Sequence, residues 1–224
     1  MDIHPLDTEQ LGLKTLEKHL IRSKSKVSLK IGIPKEISID ERRVSLTPGG
    51  VSVLKANGHE VFIEQGAGEE AKFTDQDYAE AGAEIALSAE DVYRKSELIL
   101  KVAPLCSEEF DYLTPEQSVI SALHIGSQNE EYFQAFIDKS VTGIGYEFIR
   151  GEDKEFPIVR MMHEITGSIA VQIAAHYMET RSGGQGIMLG GISGVPPATV
   201  VILGAGITGE YAARTALGYG AQVF

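Results

Sequence analysis

Apolar and polar positions alternate between two periods along this chain, and the alternation predicts an α/β protein. Val27 to Ile33 has the β-branched, alternating character of a strand, and Val51 to Asn57 has helical spacing closed by Gly58. A strand follows at Glu60 to Glu64, and helical signals run over Asp75 to Ala81 and Ala89 to Arg94. The apolar run Leu98 to Val102 reappears as Val119 to Leu123 after Pro115. Glu130 to Lys139 reads as a crossover helix leading to a strand at Thr142 to Tyr146. Strands separated by helices imply parallel pairing, so residues 27–157 form one predicted domain with a largely parallel sheet.

A longer helical pattern covers Val159 to Glu179, where Ile165, Ile169, Gln172, Ile173, His176 and Tyr177 fall on one face. Residues 158–182 are therefore expected to bridge two domains. Ser182 to Pro197 is a glycine-rich loop ending in a proline pair. After it, Thr199 to Leu203 reads as a buried strand, Glu210 to Tyr219 as a helix, and Gln222 to Phe224 as the start of another strand. Leu11, Leu13, Leu16 and Leu20 suggest a short amphipathic helix within a 1–26 extension, whose acidic start lacks the order of a signal peptide.

Composition narrows the function classes. With 43% apolar residues in 224, a sizeable core is available. A formal charge of −12 disfavours nucleic acid and anionic membrane surfaces in the absence of a basic patch. No stretch approaches the roughly 20 apolar residues that span a bilayer. The single cysteine, Cys106, excludes an internal disulfide and a thiolate zinc centre, which fits a reducing cytoplasm, and no metal site is indicated.

The strongest chemical signal is Gly204-Ala205-Gly206-Ile207-Thr208-Gly209, placed after a predicted strand and before a predicted helix. In that setting Gly204 makes the tight turn, Gly206 admits a pyrophosphate to the backbone, and Gly209 lets helix and strand pack closely, with the helix amino terminus facing negative charge. The acidic residue that selects NAD over NADP is expected about 20 residues further on. The expectation is therefore that the chain stops inside its dinucleotide-binding unit, with most of that sheet missing.

Lys35-Glu36 and Arg43-Val44-Ser45-Leu46-Thr47-Pro48, then Gly58-His59-Glu60-Val61 and Gly66-Ala67-Gly68, resemble the opening of the alanine dehydrogenase and nicotinamide nucleotide transhydrogenase alpha-subunit family. Leu100-Lys101-Val102, Leu123-His124, Tyr146-Glu147, Gly183-Gly184-Gln185-Gly186 and Leu189-Gly190-Gly191 continue the resemblance in order, from about Val27 to the end. It implies two Rossmann-like domains, a first for substrate and a second for NAD, and reversible oxidative deamination of L-alanine to pyruvate and ammonia by a homo-oligomer. It further implies that Arg43 holds the substrate carboxylate, Lys101 binds substrate and polarises its carbonyl, and His124 is the general acid and base. Met162 is placed toward the nicotinamide and His163 where the family commonly has serine near cofactor phosphate.

Without the resemblance, Arg43 is equally compatible with a solvated surface charge, Lys101 with a lysine snorkelling from a strand end, and His124 with a structural histidine. A transhydrogenase subunit, a saccharopine dehydrogenase and a non-catalytic nucleotide-binding or assembly module are the competing readings. The 224 residues alone are expected to be inactive.

Overall fold

The computed structural model describes residues 27–224, so the expected amino-terminal helix lies outside the described residues. The chain divides into two compact units, the first running to Tyr146 and the second from Glu147 to Phe224. The long helix that the sequence suggests as a separate bridge thus groups with the second unit.

In the first unit the chain runs through β1 (Lys30–Ile33), α1 (Pro48–Ala56), β2 (Glu60–Glu64), α2 (Asp75–Glu80), β3 (Glu84–Ala86), α3 (Ala89–Lys95), β4 (Leu98–Leu100), α4 (Ser107–Phe110), β5 (Ser118–Ser121), α5 (Glu130–Asp138) and β6 (Thr142–Gly145). Every strand pair is parallel, and the spatial order is β3-β2-β1-β4-β5-β6. The chain therefore winds outward from β1 through β3, returns beside β1 as β4, and winds outward the other way. At such a reversal the loops leaving β1 and β4 turn apart and open a crevice at the carboxyl ends of the strands.

The helices begin where side chains replace missing backbone partners. Thr47 accepts the Gly50 amide at 3.2 Å, with Pro48 in the first turn of α1, and Thr74 and Asp77 cap α2 reciprocally. Ser88 accepts the Asp91 amide at the start of α3, and Asn129 accepts the Tyr132 amide at the start of α5. Two apolar clusters hold the sheet. Ile33, Val51, Val61, Ile63 and Tyr78 join β1 and β2 to α1 and α2. Tyr93, Ile99, Phe110, Val119, Tyr132 and Phe136 join β4 and β5 to α3, α4 and α5. Two elements escape sequence reading: β3, whose three residues lie on an edge, and α4, a single turn.

In the second unit, α6 (Pro157–Met178) packs against α7 (Ile207–Gly218), while β7 (Thr199–Val200) pairs in parallel with β8 (Gln222–Val223). Hydrogen bonding continues past β7, since the Ile202 amide donates to the Phe224 carbonyl at 2.9 Å. Val171, Leu189, Ala216 and Ala221 form its core. Val201 and Leu203 are exposed.

Tight packing of α3 on β1 yields a test. A Cβ on Gly32 would meet the Ser96 side chain and come within 2.8 Å of Val92 Cγ1. Gly32→Ala is expected to cost about 1–3 kcal/mol by overpacking, read as a lower urea midpoint with an unchanged slope.

Candidate active site at the carboxyl edge

The loop from β1 to α1 carries Arg43 and is pinned to the sheet at several points. Ser45 Oγ donates to the Leu100 carbonyl at 2.9 Å, and Tyr78 Oη donates to the Leu46 carbonyl at 2.8 Å. Burial pushes the Tyr78 hydroxyl up to about 12, so it remains a donor throughout the neutral range. These bonds hold the loop over the carboxyl ends of β1 and β4. Arg43 is exposed, and its pKa is raised chiefly by the hydrogen bond and charge of Glu41. Tyr146, just after β6, donates its hydroxyl to the Val102 carbonyl at 2.8 Å. The loop that carries Arg43 is thus held at the carboxyl edge of the sheet.

Lys101 lies one residue beyond β4, where the sequence places it, but its environment differs from the expectation. Its side chain is fully buried, with Nζ 3.0 Å from Glu36 Oε2 and 2.7 Å from Glu109 Oε1. Burial alone would lower its pKa, but the two carboxylates outweigh burial and raise it, so the ammonium stays charged. Glu36 also accepts the amides of Val102 at 2.5 Å and Ala103 at 3.4 Å. Glu109 accepts the Cys106 amide at 2.9 Å and the Tyr93 hydroxyl at 3.1 Å. Burial, then the Glu109 charge, pushes the Tyr93 hydroxyl far above its ordinary range and keeps it a donor. Lys101 is thus a buried ionic hub. Its ammonium faces Glu36 and Glu109 rather than the open crevice, and this arrangement gives no direct support to a substrate-polarising role.

His124 follows β5 by three residues and is exposed, with a left-handed backbone at φ 47°. Its carbonyl accepts both the amide and the hydroxyl of Ser127, at 2.8 and 3.0 Å, which closes the turn. Left-handed geometry is uncommon for a residue with a side chain, though histidine adopts it more readily than most, and it turns the chain sharply off the buried Leu123. Arg43, Lys101 and His124 thus share one edge of the sheet, on or after three loops around β1, β4 and β5. A cavity of about 600 Å³ lined by Leu29, Glu97, Leu98 and Gln117 opens at the opposite edge and contains none of them.

Sequence reading missed Glu109 and assigned no role to Glu36 or Glu41. A lysine ending an apolar run signals a need for carboxylates, but its partners lie 65 and eight residues away with no periodic relation to it.

In the second unit the glycine turn has the form its spacing predicts. Gly204 sits at φ 115°, which a side chain tolerates poorly, and a Cβ on Gly209 would strike the Gly204 carbonyl. Gly206 is different: its φ is −79°, and a Cβ there would meet nothing within 4 Å. Nothing among the described residues demands glycine at that position, whereas a pyrophosphate drawn close to the backbone would. Gly206 is also the cap of α7 and bonds no first-turn amide through a side chain, so the residues fit a dinucleotide phosphate. Met162 and His163 lie on α6, half-buried and exposed respectively. The helix meets α7 at Gly167, where a Cβ would strike the Thr208 carbonyl and come within 3.0 Å of the Ala212 amide.

Two expected outcomes follow from this geometry. Lys101→Met strands two carboxylates in the interior and should cost about 3–5 kcal/mol in urea unfolding. Because the folded pKa of Lys101 is raised, the wild-type advantage over Lys101→Met should persist below 10.5 and shrink only as pH rises through the higher folded value. Gly206→Ala should leave thermal stability unchanged while weakening NADH binding at least about tenfold in a fluorescence titration, since the added Cβ would project into the open space where a bound pyrophosphate would lie.

Comparison with known proteins agrees with this arrangement. Residues 32–166 match the alanine dehydrogenase/PNT N-terminal domain, and residues 170–224 match the alanine dehydrogenase/PNT C-terminal domain. The chain is 42% identical over 193 residues to an alanine dehydrogenase of Methanococcus maripaludis, covering 86% of this chain and 52% of that protein. It superposes on a solved L-alanine dehydrogenase with a TM-score of 0.83 at 39% identity, covering 88% of this chain and 54% of the other. It also superposes on a transhydrogenase from Sinorhizobium meliloti with a TM-score of 0.74 at 30% identity, covering 87% and 57%. The chain spans about half the length of the curated relatives it matches. With both family domains matched in order and the sheet and glycine turn in place, the chain belongs to the alanine dehydrogenase/PNT family.

Proposed function

We propose that the protein catalyses NAD-dependent, reversible oxidative deamination of L-alanine to pyruvate and ammonia. The observation that carries this reading is the placement of Arg43 and His124 on one edge of the parallel sheet, at and beside the point where its strand order reverses. Arg43 is the carboxylate anchor, because a guanidinium meets a carboxylate with parallel N–H bonds and stays charged at any working pH. His124 manages the protons with its imidazole, taking one from the alanine ammonium and later from the water that adds at Cα. Gly204 to Gly209 hold the cofactor pyrophosphate, with Met162 and His163 toward its nicotinamide and phosphate sides. When bound, the nicotinamide supplies the acceptor for the hydride that leaves Cα.

The reaction balances as alanine, NAD and water giving pyruvate, ammonium, NADH and a proton. Lys101 acts one step back in this scheme, holding the crevice floor through Glu36. The active species is a homo-oligomer. Similarity to a transhydrogenase at a TM-score of 0.74 favours a second reading, a dinucleotide-binding transhydrogenase subunit without alanine turnover.

The deciding measurement is alanine-dependent NADH formation by the full-length gene product beside the 224-residue chain. Turnover is expected from the full-length product alone. No alanine-dependent signal from either would reject the dehydrogenase reading. His124→Ala is expected to lower kcat by at least about a hundredfold with NADH affinity within about twofold of wild type. An unchanged kcat would remove the histidine from the proton path.

A further inference from the structure

The five N–H bonds of a guanidinium lie in one plane, so a partner that fixes two of them also fixes the direction of the rest. Glu41 is such a partner for Arg43. Its carboxylate accepts from Arg43 Nε at 2.8 Å and Nη2 at 2.6 Å, and the Arg43 amide donates to the same carboxylate at 3.0 Å. The two side chains are unequal in exposure: Glu41 is 12% accessible and Arg43 is 54%. The carboxylate is therefore the seated member, and the guanidinium is the one presented outward.

Local backbone geometry seats Glu41. Its amide donates to the Ser38 carbonyl at 3.1 Å, and Asp40 before it takes a left-handed φ of 63°, which closes a tight turn. Two residues beyond Arg43, Ser45 ties the loop to the β4 carbonyl end. The Arg43 pair with Glu41 also pulls the Glu41 carboxyl below its usual range, so it is ionised at neutral pH. An exposed ion pair of this kind contributes little to stability, which leaves orientation as its consequence.

We propose that Glu41 is the positioning residue for Arg43, fixing the plane in which the guanidinium meets the carboxylate of the incoming amino acid. The proposal rests on the reading of Arg43 as carboxylate anchor. A long, flexible side chain ordered before the ligand arrives loses less conformational freedom on binding, so the effect appears in substrate affinity rather than in the chemical step. Glutamine at position 41 keeps the length but offers one acceptor oxygen and turns an N–H₂ toward Nη2. Alanine removes the seat altogether.

In the full-length gene product, Glu41→Gln and Glu41→Ala are expected to raise the alanine KM about tenfold or more, with kcat within about twofold. An unchanged KM, or a fall in kcat alone, would overturn the proposal. A lowered KM would overturn it too, because Glu41 would then be a competitor for the arginine. Arg43→Lys separates the underlying reading: if that variant leaves the alanine KM untouched, Arg43 is not the anchor. A second measurement needs no turnover. In heteronuclear NMR of the 224-residue chain, the Arg43 Nε–H resonance, identified by its absence in Arg43→Lys, should be protected from exchange and should lose that protection in Glu41→Gln. Equal protection in both proteins would also overturn the proposal. Should the wild-type enzyme show no alanine turnover, the functional reading falls, and the NMR comparison still decides whether Glu41 holds Arg43.

Discussion

A lysine ammonium enclosed by two carboxylates organises the carboxyl edge of the first unit. Lys101 lies between Glu36 and Glu109, and each carboxylate in turn collects backbone amides, from Val102 and Ala103 on one side and Cys106 on the other. Taking three charges out of water is costly, and mutual attraction offsets that cost only when the remaining hydrogen-bonding positions are satisfied. The Tyr93 hydroxyl helps to satisfy them on the Glu109 side. The network ties the loop after β1, the exit of β4, α3 and α4 together by directional bonds, where apolar packing alone would allow sliding.

This edge carries both buried, mutually paired charges and exposed polar residues. Lys101, Glu36 and Glu109 are buried and mutually paired, while Arg43 and His124 are exposed on loops leaving the same edge. The left-handed backbone at His124 and the Glu41 seat beneath Arg43 are local solutions to one problem, directing a polar side chain from a mobile type of segment. Both loops are fastened close to the strand ends, by Ser127 in one case and Ser45 in the other. Side chains carried on loops gain directional accuracy from such anchors.

The second unit applies a simpler constraint. Gly209 is required by contact with the Gly204 carbonyl, and Gly167 by contact with the start of α7, so two glycines serve the protein's own packing. Gly206 makes no such contact, and the space beside it is open. Within the turn itself, Gly209 is held by the protein's own packing and Gly206 is not.

Periodicity in the sequence determined most of the elements and their parallel pairing, since a strand buried on both faces must read as an apolar run and a helix between two strands must cross over the sheet. The glycine turn was legible for the same reason, because its steric needs are local to six residues. Edge strand β3 and the single-turn α4 were not legible, as each is too short to show a period. Placement of Lys101 and His124 at strand ends was also readable from sequence. The surroundings of Lys101 were decided only by tertiary structure. Its partners come from a loop 65 residues earlier and a helix eight residues later, and whether a charge at the end of a strand meets solvent, substrate or carboxylates depends on distances that no one-dimensional pattern encodes.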